Sequence, residues 1–381
     1  MSSTNSFVQP DHRLTLIPGP IEFSNPVLAA MSTPSQAHTS PEFVATFQSV
    51  LQNLRKLFKS TNPKSQAYVL SGSGTLGWDV AASNLINAGD DVLVLSTGYF
   101  SDSFADCLRI YGAEVDVLTA KVGDVVPLDQ VKAKLSEKSY KAITITHVDT
   151  STSVVSDVKA VAELVKQISP ETLIIVDGVC SVGVEDLEFD NWGLDFVLSA
   201  SQKAIGVPAG LSILYASERA LEFALNKKET TYFASLKRWT PIMQSYESGK
   251  GAYFATPAVQ TITALRASLD EILSESLDAR LAKHEQVSTE FKNAVNKLGL
   301  QILPVSREVA AHGLSAIYFP EGIDGNELLK KLAQRGFTIA GGIHKQLVGK
   351  YFRVGHMGYS VYAGHIPAFT KALEESLKEL K

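Results

Sequence analysis

The stretch from residue 172 to residue 210 constrains the fold of this chain most, because two buried strand patterns there each lead to a reactive side chain. The first run, Leu173–Val176, is short, apolar and rich in β-branched residues, which is typical of a strand buried on both faces of a parallel sheet. Asp177 follows it at the carboxyl end of the predicted strand, where open α/β sheets bind their ligands. A second run, Phe196–Leu198, leads to Lys203.

A carboxylate at one strand end and a lysine after the next strand suggest one kind of chemistry. The amine of Lys203 can form a Schiff base with a carbonyl cofactor, while Asp177 can keep a pyridinium nitrogen protonated. Small residues follow the lysine, including Ala204, Gly206 and Gly210, and they leave room for a bulky group over it. The alternative interpretation is that Asp177 caps a turn and Lys203 is a solvated loop charge.

Strand patterns alternate with helix patterns through Tyr215, which predicts an α/β fold with a mostly parallel seven-stranded sheet between helices. The seven predicted strands are Tyr68–Leu70, Val92–Leu95, Val115–Val117, Ala142–Thr146, Leu173–Val176, Phe196–Leu198 and Leu211–Tyr215. The segment Tyr232–Tyr246 reads as irregular and aromatic. Two long helical patterns, Val259–Ser274 and Leu277–Leu298, then break the alternation.

A chain of 381 residues is longer than a typical domain with a single hydrophobic core, which suggests two domains. We predict an N-terminal arm at residues 1–20, a large cofactor-binding domain at residues 21–257, and a smaller α+β C-terminal domain at residues 258–381.

Composition argues against several classes of function. A net charge of −5 offers no basic surface for nucleic acid or for an anionic membrane, and no apolar run reaches the roughly eighteen residues that span a bilayer. The histidines show no metal-ligand spacing, so no metal is expected.

The first twenty residues lack a signal core, and two cysteines fit a reducing compartment. We therefore expect a cytoplasmic protein, with a mitochondrial or peroxisomal location as the alternative.

A glycine-rich turn follows the first predicted strand of the sheet. The sequence Ser71-Gly-Ser-Gly-Thr75 opens a helix pattern, so free N–H groups and the positive helix end favour an anion, and Ser73 and Thr75 add hydroxyl donors. The spacing also matches the dinucleotide fingerprint, but Asp90 and Asp91 lie at the amino end of the next strand rather than at its carboxyl end. We therefore predict a phosphate site and no nicotinamide cofactor.

Four further positions suit a site at this edge of the sheet. Phe100 lies on the predicted exit loop of a strand and could stack on a planar ring, and Thr150 follows another strand with a hydroxyl group. Arg353, on a short strand before a glycine turn, could bind a carboxylate bidentately. The turn around Gly19 in Pro-Gly-Pro has accessible backbone groups. Each residue also has an ordinary interpretation, as a core aromatic, a turn residue or a surface cation.

Together these features resemble the alanine–glyoxylate and serine–pyruvate aminotransferase family, class V of the pyridoxal-phosphate enzymes of fold type I. The resemblance covers nearly the whole chain. The motifs that carry it most specifically are Ser71-Gly-Ser-Gly74, Val176-Asp177, Ser201-Gln202-Lys203-Ala204 and Tyr253-Phe-Ala-Thr256. The resemblance implies pyridoxal 5′-phosphate as the cofactor and a homodimer with shared active sites.

The resemblance also implies a role for each residue of the site. Lys203 would bind the cofactor aldehyde and Asp177 its pyridine nitrogen, while Phe100 would stack on the ring and Thr150 would meet the 3-oxygen. The residues that would hold the phosphate are Ser73, Gly74, Thr75 and Gln202, together with Tyr253 and Thr256 from the other subunit.

The substrate carboxylate would bind to Arg353, beside the backbone of Gly19. This chain departs from the family at two positions: Thr75 stands where histidine is common, and Phe100 stands where tryptophan is common.

The implied reaction moves the amino group of L-alanine to glyoxylate, giving pyruvate and glycine through a pyridoxamine phosphate intermediate. A serine–glyoxylate or serine–pyruvate aminotransferase would use the same residues with another donor. A cysteine desulfurase shares the fold but needs a reactive cysteine on a mobile loop, and it usually has histidine where this chain has Gln202. From another class, a non-catalytic phosphate-binding module stays an alternative. The chain shows no obvious second arginine for an acidic side chain, which fits small substrates.

Overall fold

The computed structural model describes residues 7–380; residues 1–6 of the predicted N-terminal arm and residue 381 lie outside this part. The strands within it are β1 (Leu14–Thr15), β2 (Gln66–Ser71), β3 (Asp91–Ser96), β4 (Glu114–Thr119), β5 (Ala142–Thr146), β6 (Val148–Asp149), β7 (Val154–Val155), β8 (Leu173–Asp177), β9 (Phe196–Ala200), β10 (Leu211–Ala216), β11 (Leu314–Tyr318), β12 (Phe337–Thr338), β13 (Ala340–Gly341) and β14 (Tyr351–Gly355).

The α-helices of the same part are α1 (Asn25–Met31), α2 (Pro41–Leu57), α3 (Gly74–Leu85), α4 (Tyr99–Ile110), α5 (Leu128–Glu137), α6 (Val158–Ile168), α7 (Phe189–Trp192), α8 (Glu218–Asn226), α9 (Leu236–Glu247), α10 (Val259–Ile272), α11 (Leu277–Lys297), α12 (Gly325–Gln334), α13 (Tyr359–Tyr362) and α14 (His365–Leu380). None of them has both the length and the apolar composition that crossing a bilayer requires.

The central sheet has seven strands in the order β2-β10-β9-β8-β5-β3-β4. The strands β9, β8, β5, β3 and β4 run parallel to one another, and β10 is antiparallel to both β9 and β2. Every residue of β5, β8 and β9 is buried, as expected for central strands that helices cover on both faces. The predicted mostly parallel seven-stranded α/β fold is therefore confirmed.

The register of the sheet brings the ends of its central strands together. Thr146 at the end of β5 pairs with Asp177 at the end of β8, and Asp177 pairs in turn with Leu198 of β9. Because parallel strands end at the same edge, residues that follow these three strands meet there. This edge carries the candidate site.

Two segments differ from the sequence-based interpretation. Phe100 is not on an exit loop; it is the second residue of α4, whose first amide groups donate to Asp149 from a distant part of the chain. The predicted irregular segment Tyr232–Tyr246 contains most of α9, which includes Pro241. Burial of one apolar face of α9 outweighs the low helix propensity of proline; its buried residues are Leu236, Trp239, Thr240, Met243 and Tyr246.

A small antiparallel sheet, β11-β14-β13, forms the C-terminal part of the fold and packs with α11, α12 and α14 around a second core. The N-terminal strand β1 pairs with β12, so the start of the described chain contacts this part. The buried side chains of α10 belong to the core of the central sheet. The domain boundaries given above stay a prediction.

Candidate active site

A cavity of ≈ 110 Å³ lies at the edge of the sheet where β5, β8 and β9 end. It is lined by Ser73, Gly74, Thr75, Trp78, Phe100, Thr146, Val148, Thr150, Asp177, Val179, Gln202 and Lys203. Three larger cavities, of ≈ 450 Å³, ≈ 590 Å³ and ≈ 700 Å³, have neither Lys203 nor Asp177 in their lining. The small cavity therefore contains the titratable pair that the sequence predicts, and size alone does not identify the site.

Asp177 is the buried carboxylate of this cavity, with 3% of its surface exposed. One carboxylate oxygen, Oδ2, accepts a hydrogen bond from the indole Nε1 of Trp78 at 2.8 Å, and Oδ1 accepts one from the backbone N–H of Val179 at 3.0 Å. Burial raises the pKa of Asp177 to about 6, although both hydrogen bonds lower it. A cation facing this carboxylate would favour its ionised form.

Lys203 lies in the same cavity and is nearly buried, with 9% of its surface exposed. Its Nζ donates a hydrogen bond to the backbone carbonyl of Pro18. A Cβ atom on Gly19 would lie 2.8 Å from both Cε and Nζ of the lysine, so only a residue without a side chain fits there. The predicted Pro-Gly-Pro turn thus packs directly against the lysine.

The start of α3 forms one wall of the cavity, and the first N–H groups of a helix have no hydrogen-bond partner within the helix. The N-terminal residue of this wall, Ser73, makes no capping hydrogen bond with its side chain, so its hydroxyl is available to a ligand. A Cβ atom on Gly74 would lie 2.7 Å from Val179, which explains the need for glycine. The side-chain oxygen Oε1 of Gln202 is buried without a hydrogen-bond partner in the described structure. Free donors at a helix N-terminus fit the phosphate group of pyridoxal phosphate. The unsatisfied Oε1 of Gln202 only accepts hydrogen bonds, so from this side chain only the amide NH₂ group could donate to a phosphate oxygen.

Phe100 and Thr150 border the cavity from neighbouring elements. The half-buried ring of Phe100 lies 6.4 Å from that of Trp78, centroid to centroid, at an angle of 59°. The hydroxyl of Thr150 lies 2.8 Å from the thiol of Cys180. An aromatic face and a hydroxyl group on the cavity wall suit a planar ring that carries a hydroxyl of its own.

Asp149 supports this wall from behind; it is one of the hydrogen-bonding side chains that follow β5 in the sequence, but it was not among the predicted site residues. Its carboxylate is fully buried and accepts hydrogen bonds from the backbone N–H groups of Phe100 and Ser101, both at 3.2 Å, and of Ser151 at 2.9 Å. It therefore caps α4 and fixes the position of Phe100. The only local signal was an acidic residue after a buried strand.

Arg353 approaches the site from the C-terminal sheet and has 8% of its surface exposed. Its Nε donates to the carbonyl of Gly341 at 3.0 Å, and Nη1 donates to the carbonyl of Thr150 at 3.3 Å. Within residues 7–380 no carboxylate forms a salt bridge with it, and burial lowers its pKa. A buried guanidinium without a counter-ion is suited to bind a substrate carboxylate.

Tyr253 and Thr256 do not join the cavity of their own chain. Both are exposed, and the ring of Tyr253 lies 5.1 Å from that of His38. Arg353 is likewise absent from the cavity lining, but its hydrogen bond to the carbonyl of Thr150 connects it to a residue that lines the cavity.

Trp78 is a functional candidate that the sequence did not reveal. It lies four residues after Gly74 on α3 and therefore on the same helix face as the glycine. That spacing was the available signal, but only the folded chain shows that the indole N–H meets Asp177.

Comparisons with known proteins agree with this geometry. The chain matches the aminotransferase class-V family over residues 22–361. It is 53% identical over 364 residues to alanine–glyoxylate aminotransferase 1 of Saccharomyces cerevisiae, covering 92% of this chain and 94% of that protein. It is 32% identical to a serine–glyoxylate aminotransferase of Arabidopsis thaliana, covering 92% and 86% of the two chains.

A solved structure is similar as well. The crystal structure of an alanine–glyoxylate aminotransferase from Nostoc sp. superposes with a TM-score of 0.89 at 28% identity, and covers 97% of this chain and 96% of that one. The resemblance inferred from the motifs is confirmed: this chain belongs to the class-V aminotransferases, which depend on pyridoxal phosphate.

Proposed function

We propose that this protein is an alanine–glyoxylate aminotransferase, which transfers the amino group of L-alanine to glyoxylate and gives pyruvate and glycine. The reaction type is inferred from one observation: Asp177 and Lys203 line the same cavity, beside the N-terminus of α3. The choice of substrates rests on the 53% identical relative from Saccharomyces cerevisiae, whose name states this activity.

Pyridoxal 5′-phosphate, when bound, supplies a carbonyl carbon that reacts with amines and a ring that accepts electrons from the substrate. Lys203 would bind the carbonyl carbon, and Asp177 would keep the ring nitrogen protonated. The phosphate would be held by Ser73, Gly74, Thr75 and Gln202, which line the cavity. Phe100 would cover the ring, and Thr150 would donate to its 3-oxygen.

Lys203 also moves the proton of the reaction. Its Nζ, when not bound to the cofactor, would take the α-proton of alanine, and in the second half of the reaction it would donate a proton to the α-carbon that becomes that of glycine. The carbonyl of Pro18 accepts a hydrogen bond from this amine and keeps it at the cavity wall. The burial of the lysine excludes bulk water from the transfer.

Arg353 binds the carboxylate that alanine, pyruvate, glyoxylate and glycine share. Its hydrogen bond to the carbonyl of Thr150 joins the guanidinium to the loop that borders the ring site. A substrate held there presents its amino group or keto group to the cavity, beside the backbone of Gly19.

Two copies of the chain form the active unit in this proposal. Tyr253 and Thr256 are exposed in the single chain, and the exposed aromatics Tyr232 and Phe233 lie in the same part of the sequence. Exposed aromatic residues of this kind are enriched in subunit interfaces. The pair would complete the phosphate site of the other subunit, and we propose a homodimer located in the cytoplasm.

A substrate panel tests the function. Purified protein should be yellow with bound cofactor and lose that colour on addition of L-alanine. Steady-state rates with alanine, serine, glycine, glutamate and aspartate against glyoxylate and pyruvate should be highest for alanine with glyoxylate. A higher kcat/KM for serine would replace this proposal with a serine–glyoxylate or serine–pyruvate aminotransferase, and a colourless protein would favour the non-catalytic phosphate-binding module.

Desulfurase chemistry has no support in the positions of the cysteines. Cys180 is buried, and its thiol is hydrogen-bonded to the hydroxyl of Thr150. For Cys107, burial raises the pKa of the thiol to about 12. A thiolate on an exposed loop would be needed for that reaction.

A further inference from the structure

The indole of Trp78 connects two walls of the candidate active site. Its N–H donates to Oδ2 of Asp177 at 2.8 Å, and its ring stacks on Phe104 with centroids 5.6 Å apart and planes 12° apart. The ring also contacts Phe100 at a centroid distance of 6.4 Å. With only 7% of its surface exposed, the indole has little freedom to turn away.

Asp177 depends on this indole because its other hydrogen bond is purely local. The N–H of Val179, two residues along the chain, donates to Oδ1 and constrains only that oxygen. The side chain of Trp78 is anchored on α3, a separate element, and therefore sets the rotation of the carboxylate. The charged groups that also act on Asp177 are Asp149, which disfavours its ionisation, and Lys203, which favours it.

We propose that Trp78 is a positioning residue of the amino-transfer reaction, whose indole N–H keeps the carboxylate of Asp177 ionised and aimed into the cavity. This inference rests on the proposed function, since the ionised carboxylate matters only if it faces a protonated ring nitrogen. A hydrogen bond to the charged form of an acid favours that form, and this bond partly offsets the burial of the carboxylate.

A purely structural role for Trp78 makes a different prediction. If the ring only fills space against Phe104, then Trp78→Phe, which keeps an aromatic ring and removes the N–H, should leave the ionisation of Asp177 unchanged. Trp192→Phe is the matched control, since Trp192 is half-buried and lies outside the cavity lining.

The test measures retention of pyridoxal 5′-phosphate by the loaded full-length protein during dialysis at several pH values. In Trp78→Phe we expect the dissociation constant at pH 7 to rise about tenfold or more, the range that loss of one charge-assisted hydrogen bond produces. The midpoint of acid-induced cofactor loss should also move upward by about one pH unit. Trp192→Phe should behave like the unmodified protein.

The outcomes are distinct. A dissociation constant within twofold of the original would overturn the inference, and so would weaker binding with an unmoved pH midpoint, because that pattern indicates packing alone. If the unmodified protein binds no cofactor, the proposed function itself is wrong, and this inference goes with it.

A second measurement does not require Trp78→Phe to fold. The chain has three tryptophans, so its ¹⁵N-labelled protein should give three indole N–H signals. In Asp177→Asn, we expect one of them to shift strongly, and Trp192→Phe should remove a different one. Three unmoved signals in Asp177→Asn would contradict the hydrogen bond on which the inference depends.

Discussion

The side-chain amine of Lys203 donates a hydrogen bond to the backbone carbonyl of Pro18, which lies 185 residues earlier in the chain. The N-terminal turn therefore forms part of the site around the lysine, and the next residue, Gly19, has the backbone conformation φ 103°. An L side chain rarely adopts that angle, and here it would also collide with the lysine.

Gly19→Ala should therefore displace Lys203 and reduce kcat by about tenfold or more, since small misplacements of reacting groups cost large factors in rate. The free energy of unfolding should fall by about 1–3 kcal/mol because of the unfavourable φ. Steady-state kinetics and denaturant unfolding measure the two effects.

Gly89→Ala is the matched control for this change. Gly89 has a similar φ of 85°, but nothing lies within 4 Å of the position that an added methyl group would occupy, so this variant should lose stability and keep full activity. Equal loss of activity in both variants would mean that the contact with Lys203 is irrelevant.

Lys203→Ala should keep the fold and lose transamination by at least about 10²–10⁴-fold, since both the bond to the cofactor and the proton transfer need this amine. Circular dichroism checks the fold, and single-turnover reaction with L-alanine checks the chemistry. Lys345→Ala, at a largely exposed lysine, should react normally. Full activity of Lys203→Ala would refute the assignment of this residue.

Asp177→Asn should bind the cofactor but react far more slowly with alanine, by about 10²-fold or more, because a neutral amide does not keep the ring nitrogen protonated. Stopped-flow absorbance of the first half-reaction measures this rate. A half-reaction near the original rate would count against the role of the carboxylate in electron withdrawal.

Asp177 should also make the cofactor-free protein less stable as the pH rises. Its folded-state pKa is about 6, above the ordinary value of 3.8, so the folded chain binds more protons than the unfolded chain between these two values. The stability of the original protein relative to Asp177→Asn should therefore fall by about 2–3 kcal/mol between pH 4 and pH 7. Urea unfolding at each pH measures it, and a difference that is constant with pH would disprove the raised pKa.

Arg353→Ala should raise KM for both alanine and glyoxylate by about 10- to 100-fold, because each presents a carboxylate and loses a charge-assisted hydrogen bond. Arg353→Lys should recover part of the loss, since it keeps the charge without the bidentate geometry. An increase for one substrate only would indicate that another residue binds the carboxylate of the second.

Much of this protein follows from local sequence. The apolar runs and the turn residues between them predicted the central sheet. Asp177, at the end of β8, and Lys203, shortly after β9, were predicted as a functional pair from their positions at these strand ends. Such features are readable because burial on two faces demands apolar β-branched runs, and ligands bind where parallel strands end. The motifs around them also predicted the family correctly.

Other parts were decided only by tertiary structure. The hydrogen bond from Trp78 to Asp177, the cap that Asp149 provides to α4, and the contact between Pro18 and Lys203 join residues 49 to 185 positions apart. No local pattern encodes which distant side chain arrives at a strand end. The helix α9 forms despite its proline because burial of one face against the core outweighs local propensity, and that burial exists only once the chain has folded.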